Sequence, residues 1–142
     1  MKISAKTDYA CQALLELALH WPNSEPLQIQ DIAKRRNIPM KFLPHILIQL
    51  KQLGFVQSTR GKLGGYLLLK APNAITLADV VKGFSEMQMT PLKPKKGRYN
   101  RDVIRMFLNE ADEILLSFMS RVTFEEIVKR SQGLEKVPMY TI

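Results

Sequence analysis

The sequence has little of what metal and redox sites require: one cysteine, Cys11, and two histidines in 142 residues. A single cysteine excludes an intrachain disulfide, and it excludes a cysteine cluster for zinc or an iron–sulfur centre within one chain. His20 and His45 lie far apart in the sequence, so we expect no metal site and no cofactor. Cys11 itself is expected to be a small packed residue on a helix rather than a redox group.

Long apolar runs are missing as well. No run approaches the roughly 18 residues that a membrane span needs. The first residues, MKISAKTDYA, lack the continuous apolar stretch of a signal peptide. We therefore expect a cytoplasmic protein with no membrane partner.

Motifs for catalysis are also absent. The glycines of RGKLGGYLLLK, residues 60–70, have neither the spacing of a P-loop nor that of a dinucleotide fingerprint. Neither a nucleophile–base spacing nor a set of metal ligands stands out elsewhere. The sequence therefore predicts that the protein is not an enzyme.

Positive charge is abundant and unevenly spread. The chain has 21 Lys and Arg against 13 Asp and Glu, which gives a formal net charge of +8. Residues 1–70 hold ten basic and four acidic side chains, whereas residues 101–142 hold six and seven. This asymmetry predicts that the first part of the chain meets a polyanion and the last part meets protein. A basic solvated surface without a partner is the alternative.

Apolar residues at three- and four-residue spacing predict helices over about 4–21, 29–36, 40–53 and 77–86. Ser4 is the expected N-cap of the first helix, and Gly54 is the expected C-cap of the third. A long fifth helix follows residue 100, and Thr123 with Glu126 forms a capping box for a short sixth.

The third helix has a polar side. Lys41, His45, Gln49 and Gln52 recur at spacings of four and three, so their side chains are expected to point the same way. All four can bond to base edges or phosphates. Two helices joined by the break at residues 37–39, the second with such a ridge, are typical of a helix-turn-helix whose second helix enters the major groove.

The glycines after this helix belong to a predicted hairpin. FVQST and YLLLK have the pattern of strands, and RGKLGG joins them. A hairpin directly after a helix-turn-helix is a wing, here residues 55–70, in which Arg60 and Lys62 would reach a minor groove or flanking phosphates. The predicted fold class is mainly α with a small β-hairpin wing: a winged helix-turn-helix followed by a long C-terminal dimerisation helix.

The fifth helix carries more large apolar side chains than a chain-end helix needs. The simplest cover is the same helix of a second subunit in a two-fold dimer, and folding back on the first helix is the alternative. The expected dimerisation residues are Ile104, Phe107, Leu108, Ala111, Leu115, Phe118 and Met119. The predicted organisation is a DNA-binding domain over 1–85, a flexible loop over 86–100, dimerisation helices over 101–131 and a tail over 132–142.

Several of these stretches together resemble the Rrf-type winged-helix transcriptional regulators of bacteria, the family that includes IscR, NsrR and CymR. The matching stretches are MKISAKTDYA with ALLELAL, then IQDIAKRRNIPMKFLPHILIQLKQLGFVQSTRGKLGGYLLLK, then ITLADVV, and more faintly VTFEEIV. The resemblance implies a homodimer that binds an imperfect palindrome of double-stranded DNA. It also implies recognition helices in successive major grooves and wings at the minor groove.

The resemblance places Lys41, Pro44 and His45 at the start of the recognition helix and makes Arg60 the wing arginine. Together with the polar ridge and the charge pattern, it yields three sets of candidate DNA-binding residues. They are Lys41, Pro44, His45 and Gln49 for base readout; Arg60, Gly61, Lys62, Gly64, Gly65 and Tyr66 in the wing; and Lys2, Lys6, Tyr9, Lys34 and Lys70 for phosphates.

One departure from the family bears on regulation. Cluster-binding members have three cysteines in the loop after the fourth helix, and here that loop, MQMTPLKPKKGRYN, has none. We therefore expect a regulator, most simply a repressor, that does not sense through an iron–sulfur cluster. The alternative is a regulator whose activity is set by a partner protein or a small-molecule effector at residues 87–100, and a solvated basic loop without a ligand is the third interpretation.

Overall fold

The computed structural model describes residues 3–22, 25–84 and 102–135. The elements, in chain order, are helices α1 (Ala5–Leu19), α2 (Ile29–Arg36) and α3 (Leu43–Gln52), strands β1 (Val56–Thr59) and β2 (Gly65–Leu68), a 3-10 turn (Pro72–Ala74), and helices α4 (Leu77–Phe84), α5 (Val103–Arg121) and α6 (Phe124–Glu135). The two strands pair antiparallel. The predicted fold class, mainly helical with one small hairpin, is confirmed. None of the helices in these ranges combines the length and hydropathy of a membrane span.

Local signals fix where several helices begin and end. The Ser4 hydroxyl accepts a hydrogen bond from the Thr7 backbone N–H at 3.2 Å, which caps α1 as predicted. Asn37, at φ 52°, stops α2 in the left-handed conformation that asparagine tolerates. Gly54, at φ 82°, follows α3 in the position expected of a C-cap glycine.

Some predicted boundaries need correction. α1 ends at Leu19 rather than at 21, because the N–H groups of His20 and Trp21 close a tighter final turn before Pro22. α3 begins at 43 rather than at 40, with Pro44 in the first turn, where its missing N–H costs no helical bond. α6 runs to Glu135, so residues 132–135 are helical and not part of the predicted tail. The predicted loop over 86–100 and residues 136–142 of the tail lie outside the described residues.

α1 is the centre of the hydrophobic core. It contacts α2, α3, α4, α6 and β2. Its buried face meets Leu43, Ile46, Leu47 and Leu50 of α3 in one cluster that also contains Phe124 of α6. The last helix therefore returns to the first and completes the core.

α5 packs on α4, which differs from the alternative in which it folds back on α1. Its final turns lie on α4, where Met119 joins Ala78 and Val81 in a second, smaller cluster. The Leu77 N–H also donates to the Val122 carbonyl at 2.8 Å, and this bond holds the start of α4 at the junction between α5 and α6. The helix that covers α1 is thus α6, not α5.

A buried carboxylate joins α1 to α2. Glu16 is 4% exposed; it accepts a hydrogen bond from Nε of Arg36 at 2.7 Å and one from Arg35 at 3.2 Å. His20 lies 3.4 Å from the same carboxylate. Burial alone would raise the pKa of Glu16, but the hydrogen bond and charge of Arg36, with the bonds from Arg35 and His20, outweigh burial and lower that pKa.

We expect Glu16→Gln to lower the free energy of unfolding at neutral pH by about 1–3 kcal/mol, because two arginines lose their charged acceptor. Urea denaturation followed by circular dichroism measures this. Glu125→Gln is the matched control, since Glu125 forms an exposed pair with Lys129 on α6, and it should change stability by less than about 0.5 kcal/mol. Equal effects of the two variants would contradict the role given to Glu16.

The lowered pKa of Glu16 also predicts how the stability of the protein depends on pH. The folded-state pKa of Glu16 lies below its unfolded value of about 4.3, so its stabilising contribution is present above that value and is lost as the pH falls through the folded pKa. The stability difference between wild type and Glu16→Gln should therefore shrink in acid. A difference that stays constant from neutral pH to pH 3 would show that the carboxylate charge is not involved.

Candidate nucleic-acid interface

α3 presents one face to the core and the opposite face outward. Leu43, Ile46, Leu47 and Leu50 are buried, and the turn of an α-helix therefore directs His45, Ile48 and Gln52 away from the core. All three are exposed. Lys41 precedes the helix in an exposed turn, with its Nζ 4.8 Å from the centroid of the Phe42 ring. Lys41 and His45 are thus accessible, as DNA contact requires, and Pro44 is half-buried in the first turn.

Gln49 occupies a different position from the rest of the predicted ridge. Its side-chain Nε2 donates a hydrogen bond to the backbone carbonyl of Gly83 on α4 at 2.9 Å. Ile48 lies on the outward face instead, with 50% of its surface exposed. The sequence interpretation missed Ile48 because it selected polar residues only, although 45, 48 and 52 share the helical spacing of the ridge.

The start of α1 adjoins the start of α3. The Tyr9 and Phe42 rings stack with centroids 6.0 Å apart and planes 23° apart. A cavity of about 340 Å³ opens between the starts of the two helices, and it is lined by Ala5, Lys6, Tyr9, Phe42, His45 and Ile46. The structure therefore brings together Lys6 and Tyr9, predicted for phosphates, and His45, predicted for bases.

The hairpin has an exposed tip. β1 and β2 pair from Val56 opposite Leu68 to Thr59 opposite Gly65, and residues 60–64 form the connection. Gly61 has a φ of 109°, which a residue with a side chain rarely adopts. Arg60, Gly61 and Lys62 are exposed, and Leu63 is 87% exposed. The tip is accessible to a nucleic acid.

The other predicted wing residues lie against the body of the protein. Tyr66 and Leu27 exchange backbone hydrogen bonds of 3.0 and 2.8 Å. A Cβ on Gly65 would collide with the Leu27 carbonyl, and one on Gly64 would collide with the Thr59 carbonyl. Tyr66 itself is half-buried beside the core. These two glycines allow close approach of the protein's own backbone. Of the six predicted wing residues, Arg60, Gly61 and Lys62 are therefore the exposed ones.

The remaining predicted phosphate contacts are dispersed. Lys34 is exposed on α2. Lys70 is exposed after β2, with its Nζ 5.6 Å from the centroid of the Phe55 ring. Lys2 lies outside the described residues.

The chain matches the family described as Rrf2, iron-dependent transcriptional regulator, over residues 3–130. It is 32% identical over 138 residues to the HTH-type transcriptional regulator IscR of Yersinia pestis, a match that covers 95% of this chain and 84% of the relative. It is 45% identical over 82 residues to an rrf2-like HTH-type regulator of Rhodobacter capsulatus, over 56% of this chain and 55% of the relative.

Two solved structures have a similar fold. IscR of T. potens matches with a TM-score of 0.81 at 24% identity, over 99% of this chain and 95% of the other. CymR of B. subtilis, the global cysteine regulator, matches with a TM-score of 0.79 at 25% identity, over 92% and 98%. The similar proteins confirm the winged-helix fold. The matched family and the sequence relatives are transcriptional regulators, which confirms that the chain belongs with regulators and not with enzymes.

The iron in the family's description does not fit the donor groups of this chain. Iron–sulfur clusters are held by several cysteine thiolates, and Cys11 is the one cysteine of this chain. Burial together with the charge of Asp8 raises the pKa of its thiol to about 12. In the part of the chain that the structure describes, no three His, Cys, Asp or Glu side chains lie close enough to hold a metal ion. Residues 85–101 contain one residue of these types in the sequence, Glu86.

We expect Gly65→Ala to destabilise the protein by about 1–3 kcal/mol, because the new methyl group meets the Leu27 backbone and separates the hairpin from the body. Gly133→Ala is the control: it lies in α6 with open space around it, so it should stabilise by about 0.5–1 kcal/mol. Thermal unfolding of both variants measures the difference. A Gly65→Ala protein as stable as wild type would contradict the close contact.

Proposed function

Since the chain belongs to the Rrf2 family of DNA-binding transcriptional regulators, we propose that it is a repressor that binds a palindromic operator as a homodimer. In this proposal α3 enters the major groove and the hairpin tip meets the minor groove. One observation carries it: the exposed side of α3 adjoins Lys6 and Tyr9 of α1, so that groups suited to bases and groups suited to phosphates share one surface.

The charges of this surface suit a duplex. Lys6, Lys34, Lys62 and Lys70 are exposed cations that would neutralise phosphates and make affinity depend on salt. Lys2 is proposed to contact phosphates as well, because it lies near Lys6 in the sequence. Lys41 can donate to guanine O6 and N7, and His45 can donate or accept at a base edge. Gln49 ranks behind these two, because its amide already donates to Gly83.

The apolar face of α5 supports the homodimer. Six of the seven predicted dimerisation residues are exposed, among them Ile104 at 69% and Phe107 at 65%. Met119 is the exception, since it packs on α4 of its own chain. A contiguous apolar stripe of this kind is costly in water, and a second copy of α5 would cover it. Two-fold symmetry then requires a palindromic operator with half-sites about one helical turn apart.

The second proposal concerns how activity is set. The chain lacks the cysteines for a cluster, so a partner protein or a small-molecule effector at residues 87–100 would supply the signal. Lys93, Lys95, Lys96 and Arg98 in that segment would favour an anionic ligand. The segment lies outside the described residues. The test is a variant that lacks residues 87–100. If this variant no longer captures a partner protein but keeps its affinity for the operator, the result favours this proposal over a simple repressor.

The DNA interface predicts two different mutational effects. Lys41→Ala should cost about 1–3 kcal/mol of operator affinity and relax the base preference at one position of each half-site. Lys62→Ala should weaken all duplexes about equally and reduce the salt slope of binding by about 1 per protomer. Selection from a random duplex pool, followed by fluorescence anisotropy at several salt concentrations, measures both effects.

Lys129→Ala is the control for both substitutions, because Lys129 pairs with Glu125 on α6 and belongs neither to α3 nor to the hairpin tip. It should leave affinity and base preference unchanged. The proposed interface is wrong if Lys41→Ala and Lys62→Ala also leave both quantities unchanged.

If α5 forms the dimer interface, Phe107→Glu should yield a monomer, because the substitution places a charge on the exposed apolar face of α5. Ser117→Glu adds the same charge at an exposed position on another side of that helix, and it should remain dimeric. Sedimentation velocity of both variants at equal concentration gives the mass. A monomeric wild type, or a dimeric Phe107→Glu variant, would rule out this interface.

A further inference from the structure

We propose that Ile48 is a specificity-determining residue that packs against the C5-methyl group of a thymine in the major groove. The inference rests on the proposed function, which places α3 in that groove. It assigns the operator a T·A pair at a defined point of each half-site, and it assigns the recognition of that pair to an apolar side chain.

The position of Ile48 on α3 supports this role. Ile48 lies in the second turn of the helix, between the exposed residues His45 and Gln52, and it points away from the buried stripe. Half of its surface is exposed, so a duplex that lies along this face would cover it. The neighbouring polar side chain, Gln49, is turned aside to Gly83. The centre of the face is therefore apolar.

The chemistry of the groove leaves one favourable contact for this side chain. Isoleucine has no hydrogen-bond donor or acceptor. Against a guanine or adenine edge it would strip water from polar atoms without replacing the lost hydrogen bonds. The thymine methyl is the apolar group that base pairs present in the major groove. Ile48 would thus favour thymine and disfavour the polar edges of the other bases.

The side chain of Ile48 is also suited to a specific contact. Its branch at Cβ restricts the rotation of χ1 in a helix, so little side-chain freedom is lost when the contact forms. Phe42, another exposed apolar residue near this face, is already stacked on Tyr9 and lies below the Lys41 ammonium group. Its ring is therefore less free than Ile48 to meet a base.

The test removes a single methyl group from the DNA. A high-affinity duplex is first selected from a random pool with the wild-type protein. It is then synthesised with deoxyuridine in place of thymidine at one position at a time, which deletes the C5-methyl and keeps every hydrogen-bonding group. We expect one substitution per half-site to weaken binding on the order of fourfold, the effect of withdrawing one methyl-sized contact.

The protein side of the test uses Ile48→Ala, at an exposed helical position where alanine favours the helix. This variant should bind the thymine and uracil forms of the sensitive position equally, whereas Lys129→Ala, on α6, should keep the wild-type difference. The proposal is overturned if wild type ignores every deoxyuridine substitution, or if Ile48→Ala retains the same sensitive position. Failure of the pool to yield any preferred duplex is a different result, because it overturns sequence-specific binding itself.

Discussion

Ala10 and Ala13 of α1 are completely buried, and these small side chains allow neighbouring elements to pack closely around one helix. α2, α3, α4, α6 and β2 all contact α1. A larger side chain at either alanine would overfill a closely packed interior. The placement of α3, the proposed recognition helix, therefore depends on the volume available beside α1 and not only on its own outward residues.

Packing around α1 sets the distances between α1 and its neighbours, and Glu16 in addition sets the orientation of α2. Its carboxylate lies on α1 and binds arginines from the last turn of α2, so it sets how α2 lies against α1. The same arginines favour the C-terminal end of α2 through the helix dipole. Arg35 and Arg36 belong to the basic first part of the chain, yet both already form ion pairs with this carboxylate. Net charge alone therefore overstates how many cations are free to meet DNA.

The local features of the fold could be predicted from the sequence because their causes lie within a few residues. The Ser4 cap, the end of α2 at Asn37 and the glycine after α3 each depend on neighbours in the chain. The position of Gln49 could not be predicted, because its partner Gly83 is 34 residues away. For the same reason the sequence did not show that Gly65 is required by the Leu27 backbone, or that α6 and not α5 covers α1.

α4 connects the two parts of the molecule that the proposed function uses. Gln49 bonds to it from α3, and a Cβ on Gly83 would collide with the Leu53 side chain, so α4 lies directly against the end of the recognition helix. On its other side, Met119 of α5 packs against Ala78 and Val81. The described part of α4 runs to Phe84, close in sequence to residues 87–100, the segment proposed to receive an effector. An effector there would act on α3 through α4, which is joined to α3 by one side-chain hydrogen bond and by tight packing. Packing of this kind allows discrete shifts rather than gradual ones.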